Sequence, residues 1–185
     1  VQNPDLKIDL LSLNNVDQIR GIKKGELDIS FTRDNFQSDE IESKFVLREP
    51  LIFILPKEHP LAKYERIPVQ ALDGIDFIIP SDEQSKMLHD AILNFAKDHG
   101  IEFNIVQKAD NILFNINSIG IGLGCTILPG YIATLTMNNT VIRPLDVELP
   151  SLDLFVSYRK NSNSTAVQKF MDLLSKVFYL DFNQS

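Results

Sequence analysis

Five polar side chains stand where a small anion could be held. Arg33 follows the stretch Gly25-Glu-Leu-Asp-Ile-Ser-Phe-Thr32, at the point where a strand would run out. A guanidinium there can take a carboxylate through two parallel N–H donors. Asn14 and Asn15 precede one helical pattern, and Ser81 and Ser85 open another. Helix starts carry unpaired N–H groups and partial positive charge, which favour a nearby anion by about 0.3–1 kcal/mol and by up to about 2 kcal/mol when partly buried. The chemistry on offer is recognition of an organic acid, with a carboxylate bridging the two helix starts. Each residue also has a plain structural reading. The asparagines are ordinary N-caps, and Arg33 could pair with Asp34 or Asp39 on the surface for about 0–1 kcal/mol. Asp82 and Glu83 compete for the second helix start.

Turnover has no comparable support. His59, His89 and His99 lack metal-ligand spacing, and Cys125 sits in a predicted buried strand. There is no Gly-x-Ser-x-Gly elbow and no positioned pair of acids. Gly120-x-Gly-x-Gly124 follows a helix and leads into a strand, the reverse of a dinucleotide fingerprint, and reads as a tight turn. No catalytic residue, metal or cofactor is expected.

The elements that must position the five groups follow from periodicity. Lys7–Leu13 reads as a strand and Asn15–Lys24 as a helix, with Val16, Ile19 and Ile22 on one face and Gly25 as its C-cap. In 27–32, Leu27, Ile29 and Phe31 alternate with Asp28, Ser30 and Thr32. Residues 7–33 thus have the spacing of a βαβ unit with parallel strands. In such sheets ligands lie beyond the carboxyl ends of the strands, the end that holds Asn14, Asn15 and Arg33.

Ile41–Leu47 and Pro50–Leu55 are extended, the second continuously apolar like a strand buried on both faces. Ile75–Ile79 is a strand, followed by a helix to His99 with Leu88, Ala91, Ile92, Phe95 and Ala96 inward and Gly100 beyond its end. Phe103–Val106 is a strand, Asp110 caps a helix through Ile116, Cys125–Leu128 is a strand, and Pro129 opens another helix. Thr140–Arg143 and Leu152–Tyr158 are the last strands. Thr165-Ala-Val-Gln168 reads as a capping box for a final helix striped by Val167, Phe170, Met171, Leu174, Val177 and Phe178. The expected fold is α/β with two Rossmann-like subdomains, 1–55 plus 158–185 and 56–157. The crossings fall near 44–55 and 152–158, with a cleft at the crossings.

Composition narrows the partners. With 18 Lys and Arg against 25 Asp and Glu, the net charge is −7 and no basic run is present, so this chain alone would repel nucleic acid. One cysteine excludes an intrachain disulfide and fits a reducing cytoplasm. No signal-peptide pattern or bilayer-length apolar run is visible, so no membrane partner is expected. The start at Val1-Gln-Asn-Pro-Asp, without an initiator methionine, is expected to be that of a fragment.

Gly25-Glu-Leu-Asp-Ile-Ser-Phe31, Leu47-Arg-Glu-Pro-Leu-Ile-Phe-Ile-Leu-Pro56, His59-Pro-Leu61, Gly120-Ile-Gly-Leu-Gly-Cys-Thr-Ile-Leu-Pro129 and Arg143-Pro-Leu145 occur in one order across nearly the whole chain. Together they resemble the effector-binding domain of LysR-type transcriptional regulators. The resemblance implies a type-2 periplasmic-binding-protein fold and a small-molecule effector in the cleft. It also implies a homodimer or homotetramer, and DNA contact only through a winged helix-turn-helix that precedes this segment. It implies a strand and helix ahead of Val1, so that the first subdomain is truncated at its N-terminus. It carries Asn15, Thr126, Leu88 and Val156 into the effector site, although the residues themselves read the last two first as ordinary core. The run from Arg33 and the His99-Gly100 helix end look most like regulators of aromatic acids. A periplasmic solute-binding protein of the same fold is the alternative.

Overall fold

The computed structural model describes residues 7–135 and 139–178; the Val1–Asp5 opening lies outside them. These residues fall into two compact units, one running to Leu47 and resuming at Asp153, the other Arg48–Leu152. The chain passes from the first to the second within β2 (Ile41–Pro56) and returns within β7 (Ser151–Arg159). β2 is one strand where the sequence reads as two segments.

In the first unit, α1 (Asn15–Lys24) starts where Asn14, extended, accepts from the Asp17 N–H at 2.9 Å, and stops at Gly25, whose φ of +74° a side chain would resist. β1 (Ile29–Thr32) then pairs antiparallel with β7, which lies between β1 and β2. α4 (Thr165–Phe178) lays Val167, Met171 and Leu174 on Val46 and Val156, with Ile29, Leu154 and Tyr158 at the margin. Burying each of these side chains contributes roughly 1.5–3 kcal/mol.

Three expectations fail in this unit. Lys7–Leu13 is not a strand: it has no regular structure, and Leu10 is 91% exposed. A strand needs a hydrogen-bonded neighbour, and β1 takes β7 instead, so the βαβ unit does not form. In β1 the polar side is the more deeply buried, with Ser30 and Thr32 inside while Phe31 is 40% exposed at the edge of Phe170. Finally, Ser164 rather than Thr165 caps α4, its carbonyl taking Gln168 N–H and its hydroxyl Val167 N–H.

The second unit is built on β3 (Asp76–Pro80), which pairs in parallel with β4 (Asn104–Ala109) and, through a bridge at Phe77, with Cys125 on its other side. α2 (Asp82–Asp98) joins β3 to β4, and α3 (Ile112–Gly120) leads from β4 back past β3 to β5 (Thr126–Pro129). The connection reverses direction at β3. β5 and β6 (Thr140–Ile142) pair antiparallel with the C-terminal half of β2. Phe53, Leu55, Phe77, Ile78, Ile92, Ile119 and Ile127 are fully enclosed in its core. Asn111, not Asp110, caps α3, accepting from Phe114 N–H at 2.8 Å. Pro129 ends β5 and is followed by a 3-10 helix, Gly130–Leu135.

Candidate functional site

In parallel sheets whose connections reverse, ligands gather at the C-terminal end of the strand where the reversal occurs. In the second unit that strand is β3, and the next residue is Ser81. Its N–H donates to Ala109 O at 2.9 Å. The residue is 5% exposed, and its buried hydroxyl makes no cap bond to the helix and has no hydrogen-bond partner among the described residues. A buried orphan hydroxyl costs about 1–3 kcal/mol. Four residues on, Ser85 leaves the helical conformation (φ −151°, ψ 74°) and donates its N–H to Ser81 O at 3.1 Å. The break gives α2 a second start at Lys86, with Ser85 extended in the N-cap position. Two serines and two sets of helix-start N–H groups therefore sit at the reversal point.

Asp82 counters this, as its position predicts. Its carboxyl is held below the usual carboxylate range, first by its own backbone N–H and then by Lys108, 3.7 Å away. It occupies one helix-start donor but stands exposed, whereas Ser81 is buried. Leu88 is core, 3% exposed. Thr126 is enclosed, and its hydroxyl donates to Ile78 O at 2.7 Å, tying β5 to β3. His89 places Nδ1 2.8 Å from Pro80 O, which fixes the ring beside the same strand end. Asn115 of α3 is buried with its Oδ1 unpartnered among the described residues; in a helix that also carries Asn117 and Ser118, it gave no signal beyond its polarity.

In the first unit the sequence-predicted residues also converge. Asn15 Nδ2 donates to Asp34 Oδ2 at 2.8 Å, so the start of α1 lies at the end of β1 that carries Arg33. Asn14 is the cap, and its Nδ2 also donates to Asp17 Oδ2 at 2.9 Å. Both amides are thus engaged in structure. Arg33 is half-buried and engaged within the fold. Val156 is not with them: it lies on the opposite face of the sheet, fully buried beneath α4.

The remaining reactive side chains are structural. Burial, with the Asp76 charge adding, pushes the Cys125 thiol up to about 12. His59 Nδ1 accepts from Leu61 N–H, and His99 Nδ1 lies 2.9 Å from Phe95 O. Among the described residues no group of three His, Cys, Asp or Glu could hold a metal ion, and no helix is long and apolar enough to cross a membrane.

The architecture is an α/β ligand-binding fold of the type-2 periplasmic-binding kind. It superposes on the BenM effector-binding domain with its effector benzoate at a TM-score of 0.80, 17% identity, over 96% of this chain and 81% of that one. The regulatory domain of Synechocystis PCC6803 CcmR in complex with 2-PG matches at a TM-score of 0.80, 19% identity, over 99% of this chain and 87% of that one. The chain belongs to the LysR substrate binding domain family, whose model matches residues 1–178. It is 33% identical over 176 residues to the Hca operon transcriptional activator HcaR of Escherichia coli (strain K12), which covers 95% of this chain and 60% of that protein.

Proposed function

We propose that the chain is the effector-binding part of a cytoplasmic LysR-type transcriptional regulator and senses a small organic acid. The observation that carries this is the orphan Ser81 hydroxyl at the broken start of α2, a buried donor at a helix start in a family whose solved members include one with benzoate. Arg33 and the α1 start with Asn14 and Asn15 supply the positive end of the first unit. The acid acts by binding one arrangement of the regulator's subunits more tightly than another, and it shifts that equilibrium only as far as the two affinities differ. The regulator is a homodimer or homotetramer that meets DNA through a helix-turn-helix outside this segment, since the −7 chain repels DNA.

A thermal-shift screen of aromatic and dicarboxylic acids tests the reading, because selective binding raises the melting temperature by mass action. The expected result is a shift with one structural class of acid that is reduced in Arg33→Ala. No shift with any acid at millimolar concentration would overturn it.

A further inference from the structure

We propose that His89 makes the start of α2 selective for an anion by masking a backbone acceptor, the carbonyl of Pro80, that would otherwise lie open beside Ser81; this deepens the acid-sensing reading above and rests on it. Along a strand, successive peptide groups point to alternate edges. Ile75 O and Ser81 N–H face β4, where they meet Asn104 N–H and Ala109 O, each at 2.9 Å. Asp76 O and Ile78 O face the other edge. The first takes the Cys125 N–H at 2.8 Å; the second takes the Thr126 hydroxyl at 2.7 Å, because the backbone of β5 is by then paired with β2. Pro80 is next on that edge. Its peptide with Ser81 is trans and sends the N–H toward β4, so the carbonyl points away from β4. His89 meets it there, Nδ1 lying 2.8 Å from Pro80 O. A carbonyl only accepts, so Nδ1 carries the proton and the ring donates.

The ring comes from about two turns along α2, half-buried, one turn beyond the break at Ser85. It stands beside the first turn: the Asp82 carboxyl, held low chiefly by its own backbone N–H and by Lys108, is held low also by charge on His89. A carboxylate at the α2 start needs donors, and Ser81 holds a buried hydroxyl with no partner among the described residues. A bare carbonyl one peptide away would repel that anion and would accept from the N–H₂ of a neutral amide. With the ring N–H on Pro80 O, that acceptor is occupied and the balance at the strand end favours the anion. Ile78 and Thr126, by contrast, are fully enclosed, so the bond between them acts inside the core. Pro80 ends the strand at Ser81, which is why the choice of ligand falls to His89.

The test is calorimetric titration of the chain with benzoate and succinate, each beside its neutral amide, benzamide or succinamide. At least one acid is expected to bind about tenfold or more tightly than its amide. His89→Leu, which keeps bulk and loses the donor, should narrow that ratio about five- to tenfold, the acid weakening and the amide holding or gaining. His89→Asn, whose Nδ2 stands as many bonds from Cα as the ring Nδ1, should restore the ratio to within about twofold. A ratio of two affinities measured on one preparation cancels any loss of folded protein, so a residue that merely holds α2 in place would leave it unchanged. An unchanged ratio in His89→Leu with the acid still bound, or a His89→Asn as unselective as His89→Leu, would overturn the role of His89 and leave the acid-sensing reading standing. Amides that bind the unaltered chain as tightly as the acids would overturn it too; if no acid binds, both fall. Should His89→Leu fail to fold, His89→Phe, which fills the place of the ring without a donor, decides the matter.

Discussion

Arg159 caps the C-terminus of α1 from across the sheet: its Nε and Nη2 both donate to Ile22 O at 3.3 Å, and the same guanidinium lies against Gly25, in the space a Cβ would need. The cation adds donors to a carbonyl that already accepts the Gly25 N–H at 3.2 Å, and it complements the negative end of the helix. Gly25→Ala would meet both the guanidinium and a φ of +74°. It is expected to lower unfolding free energy by about 1–2 kcal/mol, mostly from the backbone, because the guanidinium can swing away. Arg159→Ala should cost about 0.5–1.5 kcal/mol. The double variant should lose less than the sum, which a double-mutant cycle in urea measures directly.

The buried serines of the first unit offer a sharper contrast. Ser157 and Ser43 satisfy each other at 2.9 Å, whereas Ser30 Oγ has no partner among the described residues. Ser30→Ala removes a buried hydroxyl that returns nothing, so stability should hold or rise by up to about 1 kcal/mol; Ser43→Ala leaves Ser157 stranded and should cost about 1–3 kcal/mol. Opposite signs in chemical denaturation are the expected result, and equal losses would show that Ser30 bonds a buried water.

Which residues share a face was legible in the alternation of 27–32, but which face would be buried was not. Hydrophobicity favours the Leu27, Ile29, Phe31 side, yet Ser30 and Thr32 are more enclosed than Phe31, because burial is set by what packs on each face and not by the strand's own pattern. Lys7–Leu13 fails for a related reason: its pattern suits a strand, but pairing depends on residues distant in sequence. The helix start at Asn14 was readable because its cap is a local hydrogen bond, and that at Ser81 from residue type alone, since its hydroxyl makes no cap bond. The break at Ser85 was not, since it lies inside an unbroken helical pattern. The core position of Cys125 was readable from the apolar run around it.

Gly124 shows that one of the three spaced glycines is held by packing. A Cβ there would sit 2.8 Å from Asp76 O, the acceptor of the Cys125 N–H at 2.8 Å. Because the obstacle is backbone inside a sheet, nothing can swing away. Gly124→Ala should destabilise by about 1–3 kcal/mol, whereas Gly120→Ala, with nothing within 4 Å, should be within about 0.5 kcal/mol of the unaltered chain. Melting curves of the two variants make the comparison.

Alkaline pH should weaken the fold through Cys125. The unfolded thiol ionises near its ordinary 9.0, and the buried one is pushed up to about 12. Between those values the folded state keeps a proton that the unfolded state has released, so stability falls as pH rises, by at most about 1.4 kcal/mol per pH unit. Below about 9 the effect is fully present as stability. Tyr158, raised to about 12 first by burial and then by the Glu42 charge, acts in the same direction above 10. The urea midpoint should drop from pH 8 to pH 10.5, and less steeply in Cys125→Ala. An unchanged slope would mean that the thiol reaches solvent.

Ser81 separates stability from recognition. Its hydroxyl makes no bond to the fold, so Ser81→Ala should leave the unliganded melting temperature unchanged or raised, by up to about 1 kcal/mol in stability. The same change removes a donor from the start of α2, where a carboxylate would lie. The acid that most stabilises the unaltered chain should therefore bind Ser81→Ala about five- to thirtyfold more weakly, the worth of roughly 1–2 kcal/mol for a charge-assisted hydrogen bond. Thr126→Val, whose hydroxyl already serves Ile78, should show the reverse pattern, losing stability while keeping affinity in proportion to the folded fraction. Thermal melts with and without acid on the two variants read both quantities at once, and a Ser81→Ala protein that melts lower yet responds fully to the acid would assign that hydroxyl to the scaffold.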